Sequence, residues 1–283
     1  MSGGWKLVDS WVPFLLSILL GIPLASLGLL IAGIVLAGYE RLSTSFFLNG
    51  PSFDPDKAGI MPALVGSMWV VGLGMAIAIP LGVATAVYLT EYVGSKRVSS
   101  IILFNVNNLA GVPSVVYGLV ALSIVGYQLG LGRSIATGAI ALAFLVLPII
   151  VVSTVEAIRE IPVSQRLGAY ALGASRLQVV LHVVLRQALP SILTGSILAV
   201  SRALGEAAPI LVISGLIFVR EPPSSPLDEF TALPLQIFNW ITRPQAEFKE
   251  LAAAAIIVLL LLLLALNSLA IYLRARLQAR LPG

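Results

Sequence analysis

The chain has 283 residues, of which 58% are hydrophobic and 11% charged, with a mean hydropathy of +1.01, outside the balance of a water-soluble domain. At about 20 apolar residues per spanning helix, this length divides into roughly six spans with their loops and excludes a separate soluble catalytic domain. The formal charge of +4 reads as a topological bias rather than a nucleic-acid footprint, and the absence of cysteine with a single histidine, His182, excludes disulfides, thiolate chemistry and Cys- or His-cluster metal sites.

The predicted fold class is all-α, with apolar stretches at 11–39, 62–90, 100–127, 134–157, 190–218 and 251–273. Residues 1–10 form a cytoplasmic segment, 11–273 the membrane domain with a cytoplasmic loop at 158–189, and 274–283 a cytoplasmic tail. The first stretch, Trp11 to Tyr39, is too long for a signal-peptide core and is expected to remain as a helix. At 1.5 Å per residue it measures roughly 42 Å, with an aromatic at each interface. Ser17, Gly21 and Ala25 form a small-residue stripe that lets a neighbouring helix approach. The third stretch is the least regular, interrupted by Asn105, Asn107, Asn108 and Pro113. Such residues at membrane depth face protein or a water-filled cavity. Prolines at 23, 80, 148 and 209 read as kinks or hinges.

Lys and Arg set the orientation. With the N-terminus inside, Lys6, Lys96, Arg97, Arg159, Arg166, Arg176, Arg186, Arg274, Arg276 and Arg280 are cytoplasmic and Arg41, Lys57, Arg133, Arg220, Arg243 and Lys249 fall outside, beside Glu40, Asp54, Asp56, Glu221, Asp228, Glu229, Glu247 and Glu250. Both termini are then cytoplasmic. Residues 230–241 place Leu233, Ile237, Trp240 and Ile241 at helical spacing, which predicts an amphipathic outside helix resting on the membrane, as an aromatic anchor, a gate or a docking ledge for a binding protein.

The loop between spans four and five reads as two short helices. Pro162 ends the helix leaving the membrane, Ser164 caps the next, and Gly173 supplies its left-handed stop. Ser175 and Gln178 have the spacing of a capping box for a second helix. Its apolar residues Leu177, Val180, Leu181, Val184 and Leu185 lie opposite Arg176, Gln178, His182 and Arg186, a pattern that fits either an interfacial helix or a partner-docking one. His182 reads as part of the solvated face.

This loop resembles the E-A-A-x3-G-x9-I-x-L-P segment of the membrane subunits of ABC importers. Leu167-Gly168-Ala169 stand at the E-A-A positions, Tyr170 follows, Gly173 is the glycine, and Val183-Val184-Leu185-Arg186 align with I-x-L-P. Leu167 and Arg186 depart from the pattern's Glu and Pro. In that family the short helix before the glycine docks into a groove of the ATPase, so the resemblance makes residues 164–172, with Leu167, Gly168, Ala169, Tyr170 and Gly173, the candidate coupling helix.

Span five contains Arg202 and Glu206, one helical turn apart. Charge at the bilayer centre costs at least about 2.5–3.5 kcal/mol per residue. Two readings stand at this point: a self-neutralising structural pair, or an anion site in which the guanidinium fork of Arg202 holds a tetrahedral oxyanion. The stretch from Arg202 to Pro209 is similar to the charged segment of phosphate importer permeases, as are residues 108–118 and 230–240 to the A-type permease of those importers. The resemblance implies a type I, MetI-like importer fold of six spans in a bacterial inner membrane. It also implies a substrate path that includes Arg202, Glu206, Ser201, Asn107 and Asn108. The implied partners are a second homologous permease, two ATPase subunits and an external phosphate-binding protein. No Gly-x4-Gly-Lys-Ser/Thr loop occurs in the chain, so ATP and Mg would be used by the ATPase subunits, with no cofactor on this chain. Transmission is expected to run from the loop helix into spans four and five. A permease for sulfate or molybdate, or a proton-coupled carrier using Glu206, would share the charged pair; the carrier would leave the loop unexplained.

Overall fold

The computed structural model describes residues 3–215 and 217–278. Residues 1–2 and 279–283 of the two predicted tails, including Arg280, and residue 216 in the predicted fifth span lie outside the described residues. Among the described residues, five helical runs are long and apolar enough to cross a membrane, and a sharply bent pair makes a sixth when counted as one span.

Helix α1 (Gly3–Gly38) takes in most of the segment predicted as a separate N-terminal tail. The stripe of Ser17, Gly21 and Ala25 is exposed, and a Cβ on Gly21 would meet nothing within 4 Å. Its expected neighbour is therefore not among the described residues of this chain. Close packing comes instead at Gly38, where a Cβ would lie 2.5 Å from the backbone of Ala254. A short helix α2 (Thr44–Leu48), capped by Ser43, leads to α3 (Met61–Val87), which continues as a π-helical turn over Tyr88–Tyr92.

Predicted span three is not a continuous helix. Helix α4 (Lys96–Ala110) and helix α5 (Ser114–Ala121, extended by a π-helical turn to Gln128) meet at 98°. Pro113 has no N–H for a helical bond and drives the preceding residue out of the α region. The Tyr117 hydroxyl braces the corner, donating to the Leu109 carbonyl at 2.7 Å.

Helix α6 (Ile135–Arg159) is the centre of the bundle. Leu142, Val146 and Ile150 are buried among Val70, Met75 and Ala78 of α3 and apolar residues of the later helices. Its first amides find acceptors in the loop that precedes residue 233: Ile135 N–H donates to the Asp228 carbonyl at 3.0 Å and Ala136 N–H to that of Pro226 at 2.8 Å, so these two donors, which the helix leaves unpaired, are satisfied. The Asp228 carboxylate in turn accepts the amides of Ser224 and Ser225, both at 2.8 Å, and these bonds hold its pKa below the ordinary carboxylate value.

Helix α7 (Val163–Ala171) starts one residue earlier than the predicted Ser164 cap; Pro162 holds the N-cap position without a side-chain bond. Gly173 has φ of 86°, as the stop requires. The capping box forms, with the Ser175 amide donating to Gln178 Oε1 at 2.8 Å and the Gln178 amide to Ser175 Oγ at 3.4 Å. The second loop helix, however, is not separate from span five. Helix α8 (Arg176–Val179), a π-helical turn (Val180–Val184) and α9 (Leu185–Gly205) form one run. Pro190 is buried inside it, since proline removes one N–H without stopping a helix that packing holds.

That run ends at Gly205, and α10 (Ala208–Ser214) follows, so predicted span five is also broken. In helix α11 (Leu233–Ile241), three of the four residues predicted to face the membrane pack on protein instead. Leu233, Ile237 and Trp240 are buried against Phe46 of α2 and the start of α12 (Ala246–Gln278), which runs on through the first half of the predicted C-terminal tail. Trp240 is thus a core residue, and Ile241 remains exposed.

Candidate functional site

The break in α9 positions the charged pair. Gly205 closes the last turn, Glu206 takes an extended conformation at the cap position with ψ of 116°, and Pro209 stands in the first turn of α10. A glycine with a proline shortly after it is a helix-stop combination. Arg202 Nε lies 3.5 Å from Glu206 Oε1. The pair predicted to share a helix face is therefore bridged across a helix end. Arg202 sits in the last turn, where unpaired carbonyls concentrate negative potential and favour a cation.

The surroundings are close-packed on one side and open on the other. Ala199, Ala203 and Leu204 are buried against α6, and Ile210 and Ile213 of α10 join the same core. The Arg202 side chain keeps 38% of its surface accessible and that of Glu206 19%. Helix α5 crosses α10 at Gly118, where a Cβ would lie 2.7 Å from both Cα and the carbonyl oxygen of Pro209. Ser201 is tied to another helix: its hydroxyl donates to Asn267 Oδ1 on α12 at 2.7 Å.

Asn107 and Asn108 are exposed on α4. Asn107 lines a different region, a cavity of about 980 Å³ bounded by Lys96, Ser99, Glu91, Arg159 and Arg166. Asn108 lies at the start of the 98° corner, its carbonyl accepting the Gly111 amide at 3.1 Å. Of the five predicted path residues, the structure brings together Ser201, Arg202 and Glu206, and places Asn107 beside the loop instead.

On α7, Val163, Leu167 and Tyr170 are exposed at helical spacing, a Cβ on Gly168 would meet nothing within 4 Å, and Ala169 is half-buried. An apolar face without a described partner is therefore turned outward. The opposite side carries what the sequence reading missed. Arg166 forms a half-buried ion pair with Glu91 at 3.1 Å and donates to the carbonyls of Ile161 and Ile158 at 2.7 and 2.8 Å. The two residues stand 75 positions apart, and no local pattern links them. In the second loop helix, Val180 and Val184 are buried while Leu177 and Leu181 stay exposed, lining a groove with Pro80, Val83 and Val87 of α3.

Comparison with known proteins is consistent with this architecture. The family model described as binding-protein-dependent transport system inner membrane component matches residues 78–281. The phosphate transport system permease protein PstA 1 of Mycobacterium tuberculosis is 37% identical over 202 residues, 70% of this chain and 64% of that protein. The match therefore spans slightly less than two thirds of that relative's length. The phosphate transport system permease protein PstA of Haemophilus influenzae is 32% identical over 235 residues, 83% of this chain and 82% of that protein. Among solved structures, a bacterial alginate ABC transporter in complex with an alginate-bound periplasmic protein aligns with TM-score 0.70 at 14% identity, covering 96% of this chain and 97% of that one. The inward-facing MetNI methionine ABC transporter aligns with TM-score 0.57 at 17% identity, over 77% and 94%. Those two likenesses establish the type I importer fold, and the family match over most of the sequence places the chain among the binding-protein-dependent transport system inner membrane components.

Proposed function

We propose that the chain is the permease subunit of an ATP-driven phosphate importer in a bacterial inner membrane and supplies half of the translocation path. The observation that carries this reading is Arg202, an always-charged fork of donors at a broken helix, half-buried and facing the side that the chain leaves uncovered. The names of the relatives support phosphate as the anion. A second, homologous permease would cover the open side of α5, α9 and α10, where Val115, Leu119, Leu198 and Leu211 are exposed. The outward apolar face of α7 fits docking on an ATPase, and an external binding protein would deliver the ion from the other side.

Reconstitution with these partners in vesicles tests the reading. Uptake of labelled phosphate should require ATP and the external binding protein, and sulfate and molybdate should compete poorly. Uptake without the ATPase subunits, or a preference for another oxyanion, would overturn it.

Both described termini of the bundle lie on the cytoplasmic side in this reading, with the loop of α7. Because the chain has no cysteine, single cysteines report topology directly. Ser52→Cys and Ser224→Cys should react with an impermeant thiol reagent applied from outside, and Ser95→Cys and Ser164→Cys should not. The reverse labelling pattern would invert the orientation.

Coupling through α7 depends on Gly173. A Cβ there would meet nothing within 4 Å, so a substitution acts through the backbone alone: at φ of 86° an L-residue costs about 1–2 kcal/mol, and more when β-branched. Gly173→Val should assemble yet lose severalfold in phosphate uptake, with Gly173→Ala intermediate. Full ATP-coupled uptake by Gly173→Val would remove α7 from the coupling route.

A further inference from the structure

Helix α7 has no buried residue of its own, so its hold on the bundle rests on few contacts. The chief one is Arg166. Its guanidinium spends its donors on three elements at once: Nε and Nη2 approach Glu91 Oε1 at 3.2 and 3.1 Å, Nη1 bonds the Ile161 carbonyl, and Nη2 the Ile158 carbonyl at the end of α6. The two side chains retain 15% and 9% of their surface. A charge pair at that depth, with the guanidinium also bonded to two carbonyls, is stiff, because separating it strands both charges.

Glu91 belongs to the π-helical turn that ends α3. The same turn is held a second time: Arg176, which opens α8, bonds the Glu91 carbonyl and stacks over the Tyr92 ring at 4.7 Å. Both helices of the cytoplasmic loop thus grip α3. At its far end α3 is fixed again, with the buried Ser67 hydroxyl accepting the Leu233 amide of α11 at 2.8 Å and Gly66 packed directly on the Thr231 carbonyl. Helix α3 therefore runs as one packed element from the loop to the helix on the opposite face.

We propose that Arg166 and Glu91 form the joint that passes displacement of α7 into α3, and that α3 carries it to α11. The expectation from sequence placed transmission in spans four and five; the joint adds span two as a direct route between the two faces. The proposal rests on the function proposed above. Coupling of binding free energies is reciprocal, so binding at the outer face and ATP binding at the inner face should favour each other by the same factor. Arg166 acts as a positioning residue, since its own side chain turns away from the outward face of α7.

The test uses the whole complex in vesicles and two variants. Arg166→Lys keeps the charge and the buried stem but cannot hold Glu91 and two carbonyls together. Glu91→Gln keeps the shape and removes the charge. Both should hydrolyse ATP at the basal rate with unchanged KM for ATP, and both should lose about fivefold or more in phosphate taken up per ATP and in stimulation by the phosphate-loaded binding protein, within the usual range of coupling factors. A merely structural pair would lower the amount of assembled complex and leave both ratios intact. If Glu91→Gln does not assemble, Arg166→Lys decides alone. Wild-type uptake with unaltered ratios in the assembled variants overturns the joint; a wild-type complex that moves no oxyanion overturns the function instead.

Discussion

Arg202→Gln is expected to reduce ATP-driven phosphate uptake by about 100-fold or more while the complex still assembles, because the ion would lose two charge-assisted hydrogen bonds of about 1.5–3 kcal/mol each. Arg202→Lys should restore part of the rate, since a point charge attracts the ion without matching its geometry. The broken helix sharpens the role of Glu206. The guanidinium is held from two directions, by the carboxylate at 3.5 Å and by the carbonyl end of α9, and an arriving anion has to compete with the carboxylate for it. Glu206→Gln removes that competitor, so capture should persist and release should slow. A pair that serves only to neutralise itself predicts otherwise. Either single neutralisation then strands a partly buried charge and lowers assembly, and the double variant Arg202→Gln, Glu206→Gln regains both assembly and uptake. Uptake by that double variant, measured per assembled complex, decides between the two: a normal rate removes Arg202 from the path.

What the sequence made legible was local. Gly173 with its left-handed φ and the Ser175–Gln178 box follow from backbone sterics and short-range hydrogen bonds, which residue type and spacing alone decide. The break after Gly205 had a readable signal in Gly205 and Pro209, but a long apolar run masked it, because hydropathy reports burial in lipid and not the continuity of the backbone within it. The corner at Pro113 was similarly half-visible: the asparagines and the proline mark irregularity, and only packing fixes an angle of 98°. Periodicity assigned a face to α11 but could not tell lipid from protein as its cover, and the structure puts Phe46 of α2 against Trp240 where the membrane was expected. The grip of Arg166 on Glu91 joins residues 75 positions apart, and as a positive-inside charge Arg166 looked like any other. The small-residue stripe on α1 marks the opposite limit, since its neighbour is not among the described residues of this chain.

At Gly118 close packing adjoins the proposed substrate site. A Cβ placed there would come within 2.7 Å of Cα and of the carbonyl oxygen of Pro209 and 3.1 Å of its carbonyl carbon. All three are backbone atoms, so no rotamer change can relieve the contact, and replacing Pro209 by another residue would leave the same atoms in place. Helix α10 would have to move away from α5. That displacement begins three residues after Glu206, whose position depends on the turn linking α9 to α10. Gly118→Ala should therefore destabilise the subunit by about 1–3 kcal/mol, the usual cost of overpacking, and should also lower uptake per assembled complex by shifting the Glu206 carboxylate away from Arg202. Gly118→Val should assemble poorly. The control is Gly72→Ala on α3, where a Cβ meets nothing within 4 Å; it trades the flexibility of glycine for a better helix former and should be neutral or slightly stabilising. Thermal unfolding in detergent, paired with phosphate uptake in vesicles, measures both effects. Equal stability and equal uptake for Gly118→Ala and Gly72→Ala would mean that α5 and α10 do not stay in this contact through the transport cycle, and that the break in span five is held by something other than their crossing.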